Sequence, residues 1–254
     1  CDCALSEIDF SDKSELELIK DFAFKNASVD IRIPKSVKTI GDNAFNFVSN
    51  ISFCDGSLLH NLGISSFEKS LVKLIVIPKH VQEIPEHCFE FSSVETVTFP
   101  EDSELKIIRN FAFSGSKLAS INFPSKLEKL ESKWASRLEY LVDINISAEN
   151  KNFSYLGDKM IVGKSNTNID YYDTIVFALR NIENAIIPSH IKTIKPYAFD
   201  NCQDLISIEL PEDSELEIID DFAFMYTSIE RIKVPKSVKY IGDESFKSTS
   251  LETI

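Results

Sequence analysis

The sequence predicts a repeat solenoid, in which short parallel β-strands stack one above the next. Three observations support this fold. The segment PEDSELKIIRNFAF at Pro100–Phe113 returns nearly letter for letter at Pro211–Phe224, and more loosely at Ser11–Phe24. Short apolar stretches recur every 20 to 24 residues with one gap of 41, and an aromatic residue follows most of them at one of two distances. A fixed period of this length is typical of stacked repeats.

Each repeat opens with a predicted β-strand that usually ends at a proline. The strands read IRIP at Pro34, VTFP at Pro100 and IELP at Pro211. Aliphatic residues one, three and six positions before the proline alternate as expected when every second side chain faces a core. Seven of the nine prolines close strands in this way, because proline cannot donate a ladder hydrogen bond within one.

An arm leads from each strand to an aromatic residue, and long and short arms alternate. The aromatic lies 13 positions after the closing residue in long arms and 11 in most short arms. The PEDSEL segments are long arms, where Pro, Asp and Ser favour turns. The aromatic positions are predicted to form one buried column: Phe24, Phe45, Phe67, Phe89, Phe113, Phe199, Phe224 and Phe246.

The segments IRIPKSVKTIGDNAF at Ile31–Phe45 and IKVPKSVKYIGDESF at Ile232–Phe246 resemble the repeat of BspA-like leucine-rich repeat proteins. The resemblance covers essentially the whole chain. It implies a curved right-handed superhelix with short parallel strands on its concave face. The segment Leu127–Ala135 departs from the pattern, because its glycine is missing and Trp134 lies within one position of the aromatic slot. We expect a locally irregular turn there.

The chain is predicted to be a single domain, residues 1–254, with about ten repeats. We expect it to be a fragment of a longer protein. Leu251–Ile254 reproduces the opening of another strand, and Cys1–Leu5 resembles the end of a preceding arm. Natural solenoids end in polar caps, so open ends favour fraying or end-to-end self-association.

The gap of 41 residues between Ser147 and Pro188 indicates an insertion in the repeat at about residues 148–187. Within Tyr155–Leu179, the apolar runs KMIV and TIVFA flank a stretch rich in Gly, Ser, Asn and Asp, which predicts a β-hairpin. Hairpin-bearing repeats also occur in BspA-like proteins. The hairpin is either a decorated turn or a dedicated recognition element.

The composition argues against several classes of function. The chain has 27 basic and 40 acidic residues, a net charge of −13, which does not suit binding to nucleic acid or an anionic membrane. No apolar run approaches the about 18 residues of a membrane span. The five cysteines are too few and too scattered for a disulfide scaffold.

The histidines and cysteines that could carry chemistry fit the repeat instead. His80 and His190 occupy a slot that holds serine in other repeats, which predicts exposed turns. Cys88 fills the small-residue slot before an aromatic, and Cys202 follows Phe199, so both are predicted to be core thiols. Cys1-x-Cys3 lacks further metal ligands nearby in sequence.

The acidic arms do not predict a calcium site. Glu101, Asp102 and Glu104 cluster on one long arm, but long arms alternate with short ones. Equivalent carboxylates therefore lie about 9–10 Å apart, whereas Ca²⁺ needs oxygens at about 2.3–2.6 Å. No phosphate loop, CxxC pair or HExxH motif occurs in the sequence. We therefore predict no enzyme activity, no cofactor and no metal.

Four N-x-S sequons permit glycosylation in a secreted chain without requiring it. They lie at Asn26, Asn50, Asn145 and Asn152.

A solenoid of this kind offers an extended concave surface for binding. The strand residues predicted to face outward run from Asp9 through Ile186 to Lys233. Among them, Val76 and the neighbouring Leu74 form one apolar spot. The predicted protein-binding strip comprises Arg32, Ser52, Leu74, Val76, Thr98, Asn122, Asn145, Glu209 and Lys233.

BspA-like proteins are typically exposed on the surface of bacteria and parasitic protists. The resemblance therefore implies a non-enzymatic adhesion module that binds extracellular-matrix or host cell-surface proteins. The alternative is a structural or intracellular scaffold without a host ligand. A signal peptide or membrane anchor in the full-length gene would favour the first hypothesis.

Overall fold

The computed structural model describes residues 7–8, 10–11, 13–27, 29–166 and 168–252. Within them the chain forms β-strands and turns and contains no helix. It divides into two compact units, Cys1–Ser136 with Asp143–Asn150 and Arg137–Val142 with Lys151–Ile254. The segments Cys1–Leu5 and Thr253–Ile254, on which the expected open ends rest, lie outside the described residues.

The described residues of the first unit form thirteen short strands connected by turns. They are β1 (Glu7–Ile8), β2 (Leu18–Ile19), β3 (Asp30–Ile33), β4 (Thr39–Ile40), β5 (Asn50–Phe53), β6 (Asn61–Leu62), β7 (Leu74–Val76), β8 (Glu83–Ile84), β9 (Thr96–Thr98), β10 (Ile107–Ile108), β11 (Ser120–Phe123), β12 (Lys129–Leu130) and β13 (Asp143–Ile146). Odd-numbered strands pair in parallel as β1-β3-β5 and β7-β9-β11-β13. Even-numbered strands form β2-β4-β6 and β8-β10-β12. Each coil thus contributes one strand to each of two faces.

The second unit contains the remaining strands. They are β14 (Phe153–Leu156), β15 (Met160–Gly163), β16 (Thr174–Ala178), β17 (Asn184–Ile186), β18 (Thr193–Ile194), β19 (Ser207–Glu209), β20 (Ile218–Ile219) and β21 (Tyr240–Ile241). One sheet runs β14-β15-β16-β18-β20-β21, and the other pairs β17 with β19. The prediction of a parallel β-solenoid is confirmed in each unit.

The predicted hairpin is confirmed and is larger than expected. β15 and β16 pair antiparallel, as the runs KMIV and TIVFA indicated. The sequence reading missed β14, which pairs antiparallel with β15 across a turn containing Gly157. β16 also pairs in parallel with β18, so it continues the solenoid sheet as well as closing the hairpin.

Alternate strand residues face the core as predicted. In β3, Ile31 and Ile33 are buried while Arg32 is exposed. The aromatic column is also present: the rings of Phe24, Phe45, Phe67, Phe89 and Phe113 stack at centroid distances of 5.2 to 5.5 Å. In the second unit, Phe199, Phe224 and Phe246 stack at 4.9 and 5.4 Å.

The turn at Trp134 is irregular, as expected. Phe113 N donates to Trp134 O, whereas Phe89 N donates to Ala112 O, the residue before the next aromatic. Ala135 therefore occupies the aromatic slot. The Trp134 ring meets Phe113 edge-on, at 6.3 Å and 89°, so it fills the space without stacking.

The two arm lengths correspond to two turn structures that nest together. In every described long arm a serine Oγ accepts a hydrogen bond from the N–H of the leucine two positions later, at Ser14, Ser57, Ser103 and Ser214. In the short arm, Ser36 Oγ donates to Ser14 O and Leu16 O at 2.8 and 2.9 Å. Leu58 N of the next long arm donates to Lys35 O at 2.9 Å. These contacts join arms of unlike length.

Candidate protein-binding face

Outward-facing residues of the odd-numbered strands in the first unit form two columns, which we call the strand face. The first column holds residues near the strand starts, in register within β3–β5 and within β7–β13: Asp30, Asn50, Leu74, Thr96, Ser120 and Asp143. The second holds the predicted strip of this unit: Arg32, Ser52, Val76, Thr98, Asn122 and Asn145. Asp9, which we expected in the second column, lies outside the described residues.

Two aliphatic side chains on the strand face are exposed to solvent. Leu74 and Val76 are 62% and 53% exposed, whereas Ile75 between them is buried. They form the apolar spot that the sequence predicted. Their neighbours in register, Thr96 and Thr98, are only half-buried. Adjacent exposed apolar groups in a polar surface are typical of interaction sites.

A groove of about 600 Å³ runs beside Leu74 and Val76. Residues 51–57 form one wall and residues 74–80 form the other, and Pro100 and Asp102 lie at one end. The walls are β5 and β7 with the turns that follow them. Grooves of this size bind ligands in many proteins, which makes this the principal candidate site of the first unit.

The groove lies where both faces of the first unit are interrupted. β5 and β7 lie side by side, but among the described strands β5 pairs with β3 alone and β7 with β9 alone. On the even-numbered face, β6 and β8 are neighbours in different sheets. We call this boundary between the β5–β6 coil and the β7–β8 coil the seam.

Pro85 removes one of the hydrogen bonds that would join β6 and β8. In other coils the residue after the second strand donates its N–H to the preceding coil, as Gly41 does to Ile19 O at 2.8 Å and Arg109 to Ile84 O at 3.0 Å. Pro85 occupies this position after β8 and has no N–H to donate. We find no single residue that explains the break between β5 and β7.

Two histidines stack across the seam on the even-numbered face. The His60 and His80 rings are 5.2 Å apart and nearly parallel. His80 Nδ1 lies 3.4 Å from a carboxylate oxygen of Glu104. His80, predicted to be on an exposed turn, is therefore half-buried, and these rings line a second groove of about 600 Å³. His190 is exposed, as expected.

A tight ion pair closes one end of the first groove. Lys79 Nζ lies 2.6 Å from Asp102 Oδ2. The hydrogen bond to Asp102 raises the pKa of Lys79, and the same bond lowers the pKa of Asp102. The two charges neutralise each other, so this end of the groove offers little net charge to a ligand.

The other end of the groove carries charges without partners. A smaller cavity of about 250 Å³, lined by Arg32 and Lys35, shares Cys54 and Asp55 with the groove. Within the described part of the chain, the side chains of Arg32, Lys35 and Asp55 form no ion pair or hydrogen bond. Two cations and one carboxylate without partners among the described residues therefore line one small cavity next to the groove.

The polar half of the strand face is partly occupied by internal contacts. The Asn122 carboxamide accepts from Phe99 N at 2.7 Å and donates to Phe99 O at 2.9 Å. Ser120 Oγ donates to Asp143 Oδ2 at 2.8 Å. Asn122 therefore holds neighbouring coils together, whereas Asn145 is exposed and has its side chain available to a ligand.

The second unit has a smaller candidate face of its own. Ile186 is 66% exposed and stands in register with Glu209. A cavity of about 570 Å³ beside them is also lined by Lys233. Lys233 Nζ lies 3.4 Å from Glu212, so this face also combines an aliphatic group with charge.

The candidate nucleophiles are buried structural thiols. Cys88 and Cys202 are fully buried, as predicted. Burial raises the pKa of Cys88 to about 12, against a smaller opposing effect of its hydrogen bond with Ser66. Burial likewise raises the pKa of Cys202. A thiol that stays protonated is a poor nucleophile or metal ligand.

The sequence reading missed a buried arginine in the second unit. Arg180 Nε donates to Leu138 O at 3.1 Å, and Nη1 donates to Ala178 O at 3.3 Å. Its guanidinium lies 4.2 Å from the centroid of the Phe177 ring. The signal in the sequence was the position of Arg180, two residues after the apolar run TIVFA. A buried cation needs hydrogen-bond acceptors, and these backbone carbonyls provide them.

The described residues contain no group of three or more His, Cys, Asp or Glu side chains arranged to hold a metal ion. Nor do they form a helix with the length and apolar character needed to cross a membrane.

The sequence matches the family model described as the BspA type leucine rich repeat region, in six copies. The matches cover residues 1–102, 60–176 and 171–254. No curated protein sequence gives a significant match.

Several solved structures are similar in fold. The crystal structure of the pneumococcal vaccine antigen PcpA superposes with a TM-score of 0.81 at 22% identity, over 93% of this chain and 60% of the antigen. The chain thus spans less than two thirds of that structure. A leucine rich cell surface protein from Faecalibacterium prausnitzii gives 0.64 at 19%, over 99% of this chain and 87% of that one.

A leucine-rich repeat protein from Eubacterium ventriosum gives 0.62 at 18% identity, over 98% of this chain and 58% of that one. At these identities the likeness concerns the fold. Together with the family match over nearly every coil, it leads to one conclusion: the chain belongs to the BspA-type leucine-rich repeat family.

Proposed function

We propose that this chain is a non-enzymatic protein-binding module of a cell-surface protein. It binds an extracellular-matrix or host cell-surface protein through the strand face of the first unit or the smaller face of the second unit. The observation that carries the proposal is the exposure of Leu74 and Val76 beside the groove at the seam.

The architecture of the strand face favours recognition by side chains. β9 and β11 are paired on both sides, so their backbone groups are already used. Contacts to a partner therefore come from the outward columns, with Val76 as the apolar centre and Arg32 as a charged flank. An apolar centre with a polar rim is the usual anatomy of a protein interface.

The surface location is supported by the family and by the similar structures, one described as a vaccine antigen and one as a cell surface protein. The non-enzymatic role is supported by buried Cys88 and Cys202, and by neutralised charges such as Lys79 and Asp102. Leucine-rich repeats generally serve as extended binding surfaces.

Binding of the chain to a panel of immobilised, purified extracellular-matrix proteins tests the proposal. The double variant Arg32→Glu, Val76→Asp should bind its partner at least about tenfold more weakly, because it removes the apolar centre and reverses a flanking charge. Both side chains are exposed, so the unfolding midpoint in urea should stay near that of the parent protein.

Two variants away from the strand face serve as controls. Leu18→Asp replaces an exposed aliphatic residue on β2, on the other face of the same unit. Glu101→Gln removes a charge from an exposed arm. Both should leave binding unchanged. A footprint confined to the arms or to Tyr155–Leu179 would contradict the proposal, and no binding to any panel member would favour the scaffold alternative.

A further inference from the structure

We propose that the groove at the seam of the first unit binds an extended peptide segment of the partner protein. The segment carries a bulky aliphatic or aromatic side chain and, two positions away from it, a carboxylate. This inference rests on the proposed protein-binding function and specifies the chemistry of the partner at that site.

The apolar side chain of the segment is matched by one half of the groove. Leu74 and Val76 are the exposed aliphatic groups there, and Pro78 and Pro100 complete an apolar lining. Covering exposed aliphatic surface with a partner's aliphatic or aromatic side chain removes both from water. A purely polar segment would not cover the aliphatic surface in this half of the groove.

The segment cannot enter as an additional strand. Cα atoms of β5 and β7 approach within 8 Å of each other. A strand inserted between them would need about 9.6 Å, twice the normal spacing of paired strands. The segment must therefore lie over the seam and place side chains into it.

The carboxylate is matched by the unpaired cations at the other end. Arg32 and Lys35 line the adjoining cavity, and within the described residues neither has an ionic partner. By contrast, nearby Lys73 and Lys79 are paired with Glu95 and Asp102 at 3.3 and 2.6 Å. Two adjacent cations without an ionic partner among the described residues favour an acidic ligand group, even in a chain with a net charge of −13.

The spacing of the two ligand groups follows from the strands. Arg32 on β3 and Val76 on β7 are two strands apart, which corresponds to about 10 Å. An extended segment returns to the same face every two residues, about 6.7 Å. The long Arg32 side chain spans the remaining distance. A carboxylate two positions from the apolar residue therefore reaches the Arg32 guanidinium.

The negative charge of Asp55 should weaken binding of an acidic segment, which provides a test of the proposed charge preference. This residue is exposed, lies at the rim shared by the groove and the smaller cavity, and has no ionic partner among the described residues. It therefore repels an acidic segment while leaving the apolar contact intact. Asp55→Asn should strengthen binding of an acidic segment, whereas a variant of Arg32 should weaken it.

The probe is the terminally blocked peptide Gly-Ser-Glu-Ser-Leu-Ser-Gly, titrated up to about 10 mM while the methyl NMR signals of the chain are recorded. We expect saturable shifts of the Leu74 and Val76 methyl signals. Replacing Glu by Lys, or Leu by Ser, in the peptide should weaken binding about tenfold. Raising the salt concentration should weaken only the Glu-containing peptides.

Variants of the chain complete the experiment. Arg32→Glu and Val76→Ser should each weaken binding about tenfold, and Asp55→Asn should strengthen it about threefold, by charge and burial. Lys117→Glu, at an exposed position away from the groove, and Leu18→Ser are the matched controls and should bind as the parent does. The spectrum of each variant without peptide shows whether it is folded.

The outcomes separate this inference from the function on which it rests. Absence of saturable shifts, shifts confined to other regions, or equal binding of the Glu and Lys peptides would overturn the peptide specificity. If the peptides fail but Arg32→Glu, Val76→Asp still abolishes capture of a matrix protein, the proposed function stands without this inference. If neither assay depends on these residues, both are wrong.

Discussion

At the seam, the two coils are joined differently on their strand-bearing faces and at the turn edge, which is the segment after the even-numbered strands where the aromatic column lies. At the turn edge, Phe67 and Phe89 stack at 5.2 Å, Phe67 N donates to Cys88 O at 2.9 Å, and Lys69 N donates to Glu90 O at 2.8 Å. On the two faces of the same coils, no described strand of one pairs with a strand of the other.

The difference shows which contacts maintain the stack. Beyond the seam, the even-numbered face is tied by Arg109, whose guanidinium bonds to Glu83 at 2.7 Å and Glu131 at 3.0 Å. At the seam itself the aromatic column and the turn hydrogen bonds suffice. The strand face is thereby left open where the apolar spot lies, so the contacts that stabilise the stack and the proposed binding groove lie on different parts of the coil.

The largest expected effect comes from breaking the turn edge. Phe89→Ala should lower the free energy of unfolding by about 3–5 kcal/mol, because a fully buried ring is removed from between two others. Urea denaturation measures the change. Phe91→Ala, two residues along the same turn but exposed, should cost less than about 1 kcal/mol. Similar losses for both would refute the role of the aromatic column.

The hydrogen bonds at the start of β16, in the second unit, offer the next comparison with the seam. Before β16, the buried Asp173 carboxylate accepts hydrogen bonds from Ser165 N at 2.7 Å, Ser165 Oγ at 2.6 Å and Thr174 Oγ1 at 3.1 Å. Asp173→Ala should lower stability by about 1–3 kcal/mol, because the buried Thr174 hydroxyl and the Ser165 N–H lose their acceptor. Asp170→Ala on the exposed loop nearby is the control, and an equal effect there would argue against this role.

The same carboxylate should make stability depend on pH. Burial alone would raise the pKa of Asp173, but the hydrogen bonds from Ser165 and Thr174 outweigh it and lower the pKa. Its stabilising contribution is therefore complete above the unfolded pKa of about 3.9 and is lost as the pH falls through the lower folded value. Asp173→Asn should flatten the acid limb of a stability–pH profile; an unchanged limb would contradict this account.

The smallest expected effect comes from closing the seam. Pro85→Ala supplies an N–H that can donate across the β6–β8 boundary, a gain of about 0.5–1.5 kcal/mol. Losing proline's restriction of the unfolded chain costs about 0.4–1 kcal/mol, so the net change in stability should be under about 1 kcal/mol. Hydrogen exchange should show a protected amide at position 85. Free exchange there would mean that Pro85 does not cause the break.

Most of the fold could be predicted from the sequence because it follows from a repeated pattern. Inward strand residues, the aromatic column and the core positions of Cys88 and Cys202 all follow from slots in the repeat. Counting also places Ala135 in the aromatic slot, since it lies 11 positions after Pro124, as in other short arms. The strand β14 was missed because its turn at Gly157 lies inside the insertion, where no repeat sets the register.

The candidate site could be predicted only in part. The exposure of Leu74 and Val76 follows from strand alternation. The β5–β7 side of the seam does not, because the residues of these two strands fit the repeat and give no sign of the missing hydrogen bonds. On the β6–β8 side, Pro85 was a signal that the sequence offered. The commitment of Asn122 to the Phe99 backbone was equally hidden, since a polar residue in an outward slot can serve a neighbouring coil or a ligand.

The nesting of unlike arms bears on how such a chain can change over generations. Ser36 of a short arm fits the carbonyls of the long arm before it, and Lys35 O receives Leu58 N of the long arm after it. Deleting one coil from the gene would set two arms of equal length against each other and leave these groups unmatched. Deleting or duplicating two coils together keeps long arms next to short arms. Gains and losses in copy number that survive selection should therefore come in pairs.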